Sequence, residues 1–230
     1  MKKLTILTGS GISAESGIAT FRDAGGLWEQ YRIEEVATPE AWRNNQALVL
    51  HFYNLRREQL LRVNPNEAHY GLVDLEDYFD VNIITQNVDN LHERAGSTKI
   101  IHLHGELMKV RSTGPGEEVY TLSEDNIILN TGDKCPRGYQ LRPHIVWFGE
   151  AVPEIEHAAD IVSEADILVI IGSSMQVYPA AGLIHYFRPH APIFLIDPND
   201  VHMTSSRVTH LKMKASEGVA QLKKLLLEIK

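Results

Sequence analysis

Short runs of consecutive apolar residues recur along the chain, and each run ends in small or polar residues. They predict strands over residues 4–7, 81–84, 99–103, 145–148, 167–171 and 193–196. Near-continuous apolar strands of this kind are typical of a parallel sheet that is buried on both faces.

Helical patterns lie between these runs. Leu48, Phe52 and Leu55 are spaced for one face of a helix over residues 40–61, and a short helix should follow the first strand and end near residue 17. A C-terminal amphipathic helix from Ser216 should bury its apolar positions, which are Val219, Leu222, Leu226 and Ile229. Strands that alternate with helices indicate the α/β class, with a doubly wound parallel sheet of the Rossmann-like type.

Residues 108–144 interrupt this rhythm with a Gly-Pro-Gly turn and several acidic residues. We interpret them as part of a second, smaller inserted domain. The predicted division gives residues 1–27, 62–107 and 145–230 to the Rossmann-like domain. Residues 28–61 and 108–144 form the small domain in this division.

Composition and charge narrow the classes of protein. Among 230 residues, 43% are hydrophobic and 23% are charged, which is ordinary for a globular protein. A membrane span is not expected, because no run of 18 apolar residues occurs. The net charge of −8 argues against nucleic acid as a partner. One cysteine, Cys135, permits no intrachain disulfide, and the apolar part of the first residues is too short for a signal peptide, so we expect a cytoplasmic location. We also expect a monomer.

A glycine loop follows the first strand. Gly9-x-Gly11 stands between a predicted strand and a predicted helix, which is the context of a dinucleotide phosphate site. Backbone without Cβ atoms can approach a pyrophosphate, and the N–H groups of a helix start attract it. The same loop could also be only a tight strand-to-helix turn.

Polar residues follow two further strands. Residues 84–89 contain Gln86, Asn87 and Asp89, and His104-Gly105 follows the next strand. Ligands of open parallel sheets bind beyond the carboxyl ends of the strands, so an amide, a carboxylate and an imidazole should meet in one crevice. His104 alone could be a surface or packing residue, but its place beside Asn87 and Asp89 favours catalysis.

Several motifs in register resemble those of the sirtuins, the NAD-dependent protein deacylases. The first is residues 9–18 with Thr20-Phe21-Arg22, and the second is residues 85–96 with His104-Gly105. Residues 141–150 and residues 172–180 extend the likeness over nearly the whole chain.

The resemblance implies a reaction and a set of roles. NAD would bind in the crevice of the Rossmann-like domain, an acylated lysine would react at the nicotinamide ribose, and the acyl group would end on ADP-ribose. His104 would be the general base, Asn87 would contact the ribose and order water, and Asp89 would accept from the carboxamide. The implied NAD-binding residues are Gly9, Ser10, Gly11, Ser13, Phe21, Arg22, Gln86, Asn87, Val88, Asp89, Gly172, Ser173, Ser174, Asp197, Pro198, Asn199 and Ala215. Acylated-lysine proteins or peptides would be the partners, with Phe148, Gly149, Glu150 and Val177 beside the bound peptide. His92 and His102 are expected to serve structure.

The chain departs from the family at the zinc site. The family's small domain usually carries two CxxC pairs for one zinc ion, whereas this region has only Cys135. We therefore predict no zinc and no other metal. Packing should stabilise the small domain instead, through Val119, Tyr120, Leu122, Ile127, Ile128 and Leu129.

Tyr53 and Arg56 lie one helical turn apart. A Tyr-x-x-Arg pair resembles the acyl pocket of the sirtuins that remove succinyl, malonyl and glutaryl groups. A guanidinium would pair with the carboxylate of such a group, so we expect these acyl groups to be preferred over acetyl. The alternative for Arg56 is a solvated helix face.

Two other functions stay open. Mono-ADP-ribosyl transfer or NAD hydrolysis would share the first step and use another acceptor. A non-catalytic sensor of NAD or ADP-ribose would need no combination of His104, Asn87 and Asp89.

Overall fold

The computed structural model describes residues 1–19, 30–201 and 207–229. Its larger layer is a six-stranded parallel sheet in the order β3-β2-β1-β7-β8-β9. The strands are β1 (Lys3–Thr8), β2 (Asp80–Thr85), β3 (Ile100–His102), β7 (Ile167–Ile171), β8 (Ile193–Ile196) and β9 (Val208–Leu211). The predicted doubly wound α/β class is confirmed, whereas β9 was not predicted.

Helices cover both faces of this sheet. On one face, Leu4, Ile6 and Val169 pack with α5 (Glu67–Leu75) and α8 (Ala215–Glu228). On the other face, Leu168 and Ile170 pack with α7 (Ile155–Glu164) and a 3₁₀ helix (Ala180–Tyr186). Sequential strands run outward from β1 in both directions, so the topological switch point lies between β1 and β7.

A separate three-stranded antiparallel sheet has the order β5-β4-β6. Its strands are β4 (Gly105–Ser112), β5 (Val119–Thr121) and β6 (Leu141–Ile145). The prediction of a parallel strand over residues 145–148 is wrong, because Ile145 ends β6 and pairs antiparallel with Gly105. An apolar run cannot show which sheet buries it. The exact division into domains stays a prediction.

Helices pack against this small sheet through a third core. They are α2 (Ile33–Val36), α3 (Pro39–Asn44) and α4 (Gln46–Leu61), while α1 (Gly11–Ala14) and α6 (Leu91–Ala95) are short helices next to the main sheet. The predicted helix over 40–61 is two helices, because Asn45 ends the first and caps the second by accepting from the Leu48 N–H at 3.1 Å.

Three positions that were expected to be buried are exposed. Ile229 follows the last helix and is 42% exposed, since the helix has already ended at Glu228. Val119 and Ile128 are 46% and 42% exposed, while Ile127 and Leu129 point into the core. Val119 begins the strand β5 and Ile128 lies in an irregular segment, and in both places neighbouring residues point to opposite sides.

Across the described ranges 1–19, 30–201 and 207–229, we find no helix whose length and apolar content would let it cross a bilayer.

Candidate active site

His104 is the second residue of the two-residue turn between β3 and β4. Its Nδ1 lies 3.1 Å from the backbone oxygen of Gln86. A carbonyl oxygen only accepts, so Nδ1 carries the hydrogen and Nε2 is the basic nitrogen. Burial lowers the pKa of His104, and the hydrogen bond to Gln86 opposes this only in part. The ring is therefore neutral at neutral pH and can take a proton at Nε2.

Ser13 joins Asn87 to Asp89 in a buried hydrogen-bond chain. The Asn87 amide donates to the Ser13 hydroxyl at 3.2 Å and to the Gly9 carbonyl at 3.1 Å. Ser13 in turn donates to the Asp89 carboxylate at 3.0 Å, and that carboxylate also accepts from the Leu91 N–H at 3.2 Å. Burial raises the pKa of Asp89 in spite of these donors. The structure thus holds the predicted amide and carboxylate in one connected unit.

The glycine loop after β1 packs against the loop after β7. A Cβ on Gly9 would lie 2.6 Å from the Gly172 carbonyl oxygen, and one on Gly11 would lie 2.5 Å from the Gly172 Cα. The Gly11 N–H donates to the Gly172 oxygen at 2.9 Å. The missing Cβ atoms are therefore needed for close contact between these two loops at the switch point. A motif alone does not reveal this use of the glycines.

A side-chain bridge crosses the same point. Gln86 donates to the Ser173 hydroxyl at 2.9 Å, which ties the end of β2 to the end of β7. Beyond β8, the Asp197 carboxylate accepts from the Asn199 N–H at 2.8 Å. Ala215 is buried at the start of α8.

The remaining residues predicted to bind NAD fall into three groups. Ser10, Val88 and Ser174 are partly buried, and Pro198 and Asn199 are exposed at the end of β8. Phe21 and Arg22 lie outside the described residues.

Tyr53 and Arg56 lie on one face of α4. The Tyr53 hydroxyl accepts from Trp147 Nε1 at 3.0 Å, and the side chain is buried. The Arg56 guanidinium carbon lies 5.8 Å from the centroids of both the Phe52 and Tyr53 rings. Burial lowers the pKa of Arg56, and its interactions with Tyr53 and Asp89 act against this.

The residues predicted beside a bound peptide differ in their surroundings. Phe148 is 47% exposed and Val177 is 40% exposed, while Gly149 has a φ of +91°. The Glu150 carboxylate, by contrast, accepts from Arg142 at 2.8 and 3.1 Å and from the Trp147 N–H at 2.8 Å. Glu150 therefore holds the loop in shape through its side chain.

Two features of the site were missed from the sequence. Ser13 was predicted only as a cofactor contact, not as the link between Asn87 and Asp89. Arg142 stacks over the Trp147 ring, 3.4 Å from its centroid, and so supports the wall next to Tyr53. Both roles depend on contacts between segments that are far apart in the chain.

Known proteins resemble this chain in sequence and in fold. The sequence model of the Sir2 family matches residues 9–179. An NAD-dependent protein deacylase of Bacteroides thetaiotaomicron is 57% identical over 231 residues, covering 99% of each chain. A solved Sir2 homologue in complex with NAD is 38% identical, with a TM-score of 0.88, covering 99% of this chain and 90% of that one. A solved complex of Sir2 with a p53 peptide and NAD⁺ is 28% identical, with a TM-score of 0.79, covering 96% of this chain and 92% of that one. The chain belongs to the Sir2 family.

Proposed function

We propose that this enzyme is an NAD-dependent protein-lysine deacylase, which transfers the acyl group to ADP-ribose and releases nicotinamide. The orientation of His104 is the observation that carries the proposal. Its Nδ1 is held by the Gln86 carbonyl, and its lowered pKa keeps Nε2 free of a proton at neutral pH. A neutral imidazole at the carboxyl end of the sheet suits a general base.

The chain's own residues would divide the work. His104 takes a proton from a ribose hydroxyl. Asn87, held by Gly9 and Ser13, contacts the ribose and orders water. Asp89 accepts a hydrogen bond from the carboxamide, which needs its carboxylate to be kept in place by Ser13 and Leu91.

The loops at the switch point fit a dinucleotide. NAD would supply the ADP-ribose that accepts the acyl group and the nicotinamide that leaves. Gly9–Gly11, Gln86 and Gly172–Ser173 stand at the carboxyl ends of β1, β2 and β7, and Asn199 and Ala215 stand further along the same edge. Solved relatives in complex with NAD support this assignment.

An acylated lysine on a protein or peptide is the proposed second substrate. Exposed Phe148 and Val177 would flank the peptide, as an added strand that bonds mainly through its backbone. The p53 peptide complexes of Sir2 relatives support this class of partner.

We further propose that succinyl-like acyl groups are preferred over acetyl. Arg56 lies on α4 beside Tyr53, and the negative charge of Asp89 counteracts the lowering of the Arg56 pKa by burial. A carboxylate that enters a partly dry pocket needs a fixed charged partner, and a guanidinium provides one. Phenol and guanidinium together would select a dicarboxylic acyl chain.

Steady-state kinetics on succinyl-, malonyl- and acetyl-lysine peptides test this preference. Arg56→Met should lower kcat/KM for the succinyl peptide by roughly 10- to 100-fold, the value of one charge-assisted pair, and should change acetyl turnover much less. Arg62→Met is the matched control, because the Arg62 side chain is 79% exposed on the same stretch of chain. An unchanged succinyl-to-acetyl ratio in Arg56→Met would refute the pocket.

Two alternatives make different predictions in the same assays. Nicotinamide release without any acylated peptide would favour NAD hydrolysis, and label transfer from NAD to protein would favour mono-ADP-ribosyl transfer. NAD binding in a calorimeter without turnover on any acyl peptide would favour a sensor.

We also propose that the small sheet and its helices fold without zinc. A site of four thiolates cannot be built, because the chain has one cysteine. Cys135 is buried and lies 3.3 Å from the Ser112 hydroxyl. The buried Arg57 side chain, which donates to Ile127 and Leu107, links α4 to this region. A cytoplasmic location, a monomeric state and the predicted domain division are proposals of the same standing.

A further inference from the structure

The loop that carries Asn87 is held at every carbonyl oxygen from residue 85 to residue 88. Two of the four donors are backbone N–H groups, and the other two are histidine rings that use Nδ1. The four bonds are Leu103 N–H to Thr85 at 2.9 Å, His104 Nδ1 to Gln86 at 3.1 Å, His102 Nδ1 to Asn87 at 2.9 Å and Leu107 N–H to Val88 at 2.8 Å. The two histidines of this His-x-His sequence therefore hold successive peptide groups.

His102 differs from His104 in its second nitrogen. Its Nε2 lies 2.7 Å from a carboxylate oxygen of Glu93, and its side chain is only 7% exposed. A carbonyl and a carboxylate both accept, so a ring that serves both must carry two protons. Burial lowers the pKa of His102, but the hydrogen bond and charge of Glu93 more than reverse this and raise it above its usual value. Burial likewise raises the pKa of Glu93, and the contact with His102 brings it below its usual value.

We propose that His102, as an imidazolium anchored by Glu93, is a positioning residue that fixes the peptide after Asn87 for the reaction. Fixing this peptide sets where the Asn87 side chain can reach, and that amide already bonds Gly9 and Ser13. Small displacements of such a group lower turnover strongly, because reaction requires aligned atoms. This inference rests on the proposed function, in which Asn87 contacts the ribose.

A change in protonation separates this role from simple packing. When His102 loses one proton, a single N–H must serve two acceptors. The Glu93 carboxylate is the stronger acceptor, so the proton stays at Nε2 and a lone pair then faces the Asn87 carbonyl. Other charged or titratable groups that act on His102 lie on several elements: Glu106 on β4, Asp89 in the loop, and His92 on α6. Lys109, also on β4, pairs with Glu106 at 2.6 Å. Positioning should therefore be lost as the pH rises through the pKa of His102.

Two substitutions test which nitrogen matters. The amide nitrogen of asparagine occupies the place of Nδ1, so His102→Asn keeps a donor for Asn87 and loses the one for Glu93. The amide nitrogen of glutamine occupies the place of Nε2, so His102→Gln keeps a donor for Glu93 and loses the one for Asn87. Both variants lose the imidazolium, which makes them a matched pair.

The assay is kcat/KM for NAD with a fixed acyl-lysine peptide, measured from pH 6 to pH 10. We expect His102→Gln to be at least about 10-fold less active than His102→Asn at neutral pH, in line with the cost of misplacing a reacting group. We also expect kcat/KM of the wild type to fall at alkaline pH and that of His102→Asn to lack this fall, because an amide does not titrate.

Three outcomes separate the possibilities. Equal activity of the two variants, or an alkaline fall that is the same in the wild type and His102→Asn, would overturn the positioning role. No turnover by the wild type on any acyl peptide would instead overturn the proposed function. Circular dichroism of both variants at neutral pH checks that they fold. Glu93→Gln provides a second test of the positioning role, because it should remove the alkaline fall in activity. An alkaline fall that persists in Glu93→Gln would overturn the positioning role.

Discussion

Arg57 offers a direct test of the proposal that packing and buried hydrogen bonds hold the small sheet without zinc. The side chain has no exposed surface and lies on α4. It donates to the Ile127 carbonyl at 2.7 Å, to the Asn54 side-chain oxygen at 2.6 Å and to the Leu107 carbonyl at 3.4 Å. Burial lowers the pKa of Arg57 to about 10, so the group remains charged at neutral pH. Asn54 continues the link by donating to the Leu129 carbonyl at 3.0 Å.

Replacing Arg57 with leucine removes two short charge-assisted bonds and one long bond. Each short bond contributes roughly 1.5–3 kcal/mol to the stability of the folded protein. Leucine carries no charge, so the free-energy cost of burying the guanidinium disappears, which offsets part of the loss. A net destabilisation of about 3 kcal/mol follows, which lowers the Tm of a chain of this length by roughly 6–12 °C. The loss should be largest for the small sheet, because Leu107 lies in β4 and Ile127 lies in the segment between β5 and β6.

Thermal unfolding of Arg57→Leu, followed by circular dichroism, measures this effect. Arg62→Leu is the control, since its side chain is 79% exposed and lies 3.8 Å from Glu58. We expect that control to change stability by no more than about 0.5 kcal/mol. If the two variants had the same Tm, the buried guanidinium would not stabilise the small sheet.

Three further outcomes are expected. Burial lowers the pKa of His104, and a general base acts in its neutral form. As the pH falls, kcat/KM should therefore stay high and decline only below 6.5, the ordinary pKa of histidine. A decline centred above pH 6.5 would contradict the assignment of His104 as the base. In urea unfolding, Gly105→Ala should destabilise the protein by about 2 kcal/mol more than Gly138→Ala. Both glycines have a positive φ, but only at Gly105 would a Cβ contact the His144 carbonyl. Equal losses of stability in the two variants would show that this contact is tolerated. Treatment with EDTA should leave the Tm unchanged within about 1 °C, whereas a drop of several degrees would reveal a structural metal.

The parallel sheet could be predicted because its strands are buried on both faces. Runs such as residues 167–171 are apolar throughout and end in Gly172-Ser173, so both the strand and the position of the loop follow from local pattern. Five of the six predicted runs correspond to strands of this sheet. The sixth was assigned to the wrong sheet, because Ile145 pairs with Gly105, a residue forty positions away.

The candidate site was predicted as a set of residues but not as a network. Residue type and place after a strand pointed to His104, Asn87 and Asp89. The Ser13 link, the Gln86–Ser173 bridge and the His102–Glu93 pair join segments that only the fold brings together. Tautomers and pKa directions follow from those partners, and no local pattern contains them.

The most direct test of the account is turnover by the wild type and by His104→Ala on an acyl-lysine peptide with NAD, with NAD binding measured alongside by calorimetry. We expect equal release of nicotinamide and deacylated peptide by the wild type. In His104→Ala we expect a loss of at least about 100-fold in kcat, with NAD still bound, because only the general base is removed. Full turnover by His104→Ala, or none by the wild type on any acyl peptide, would contradict these expectations.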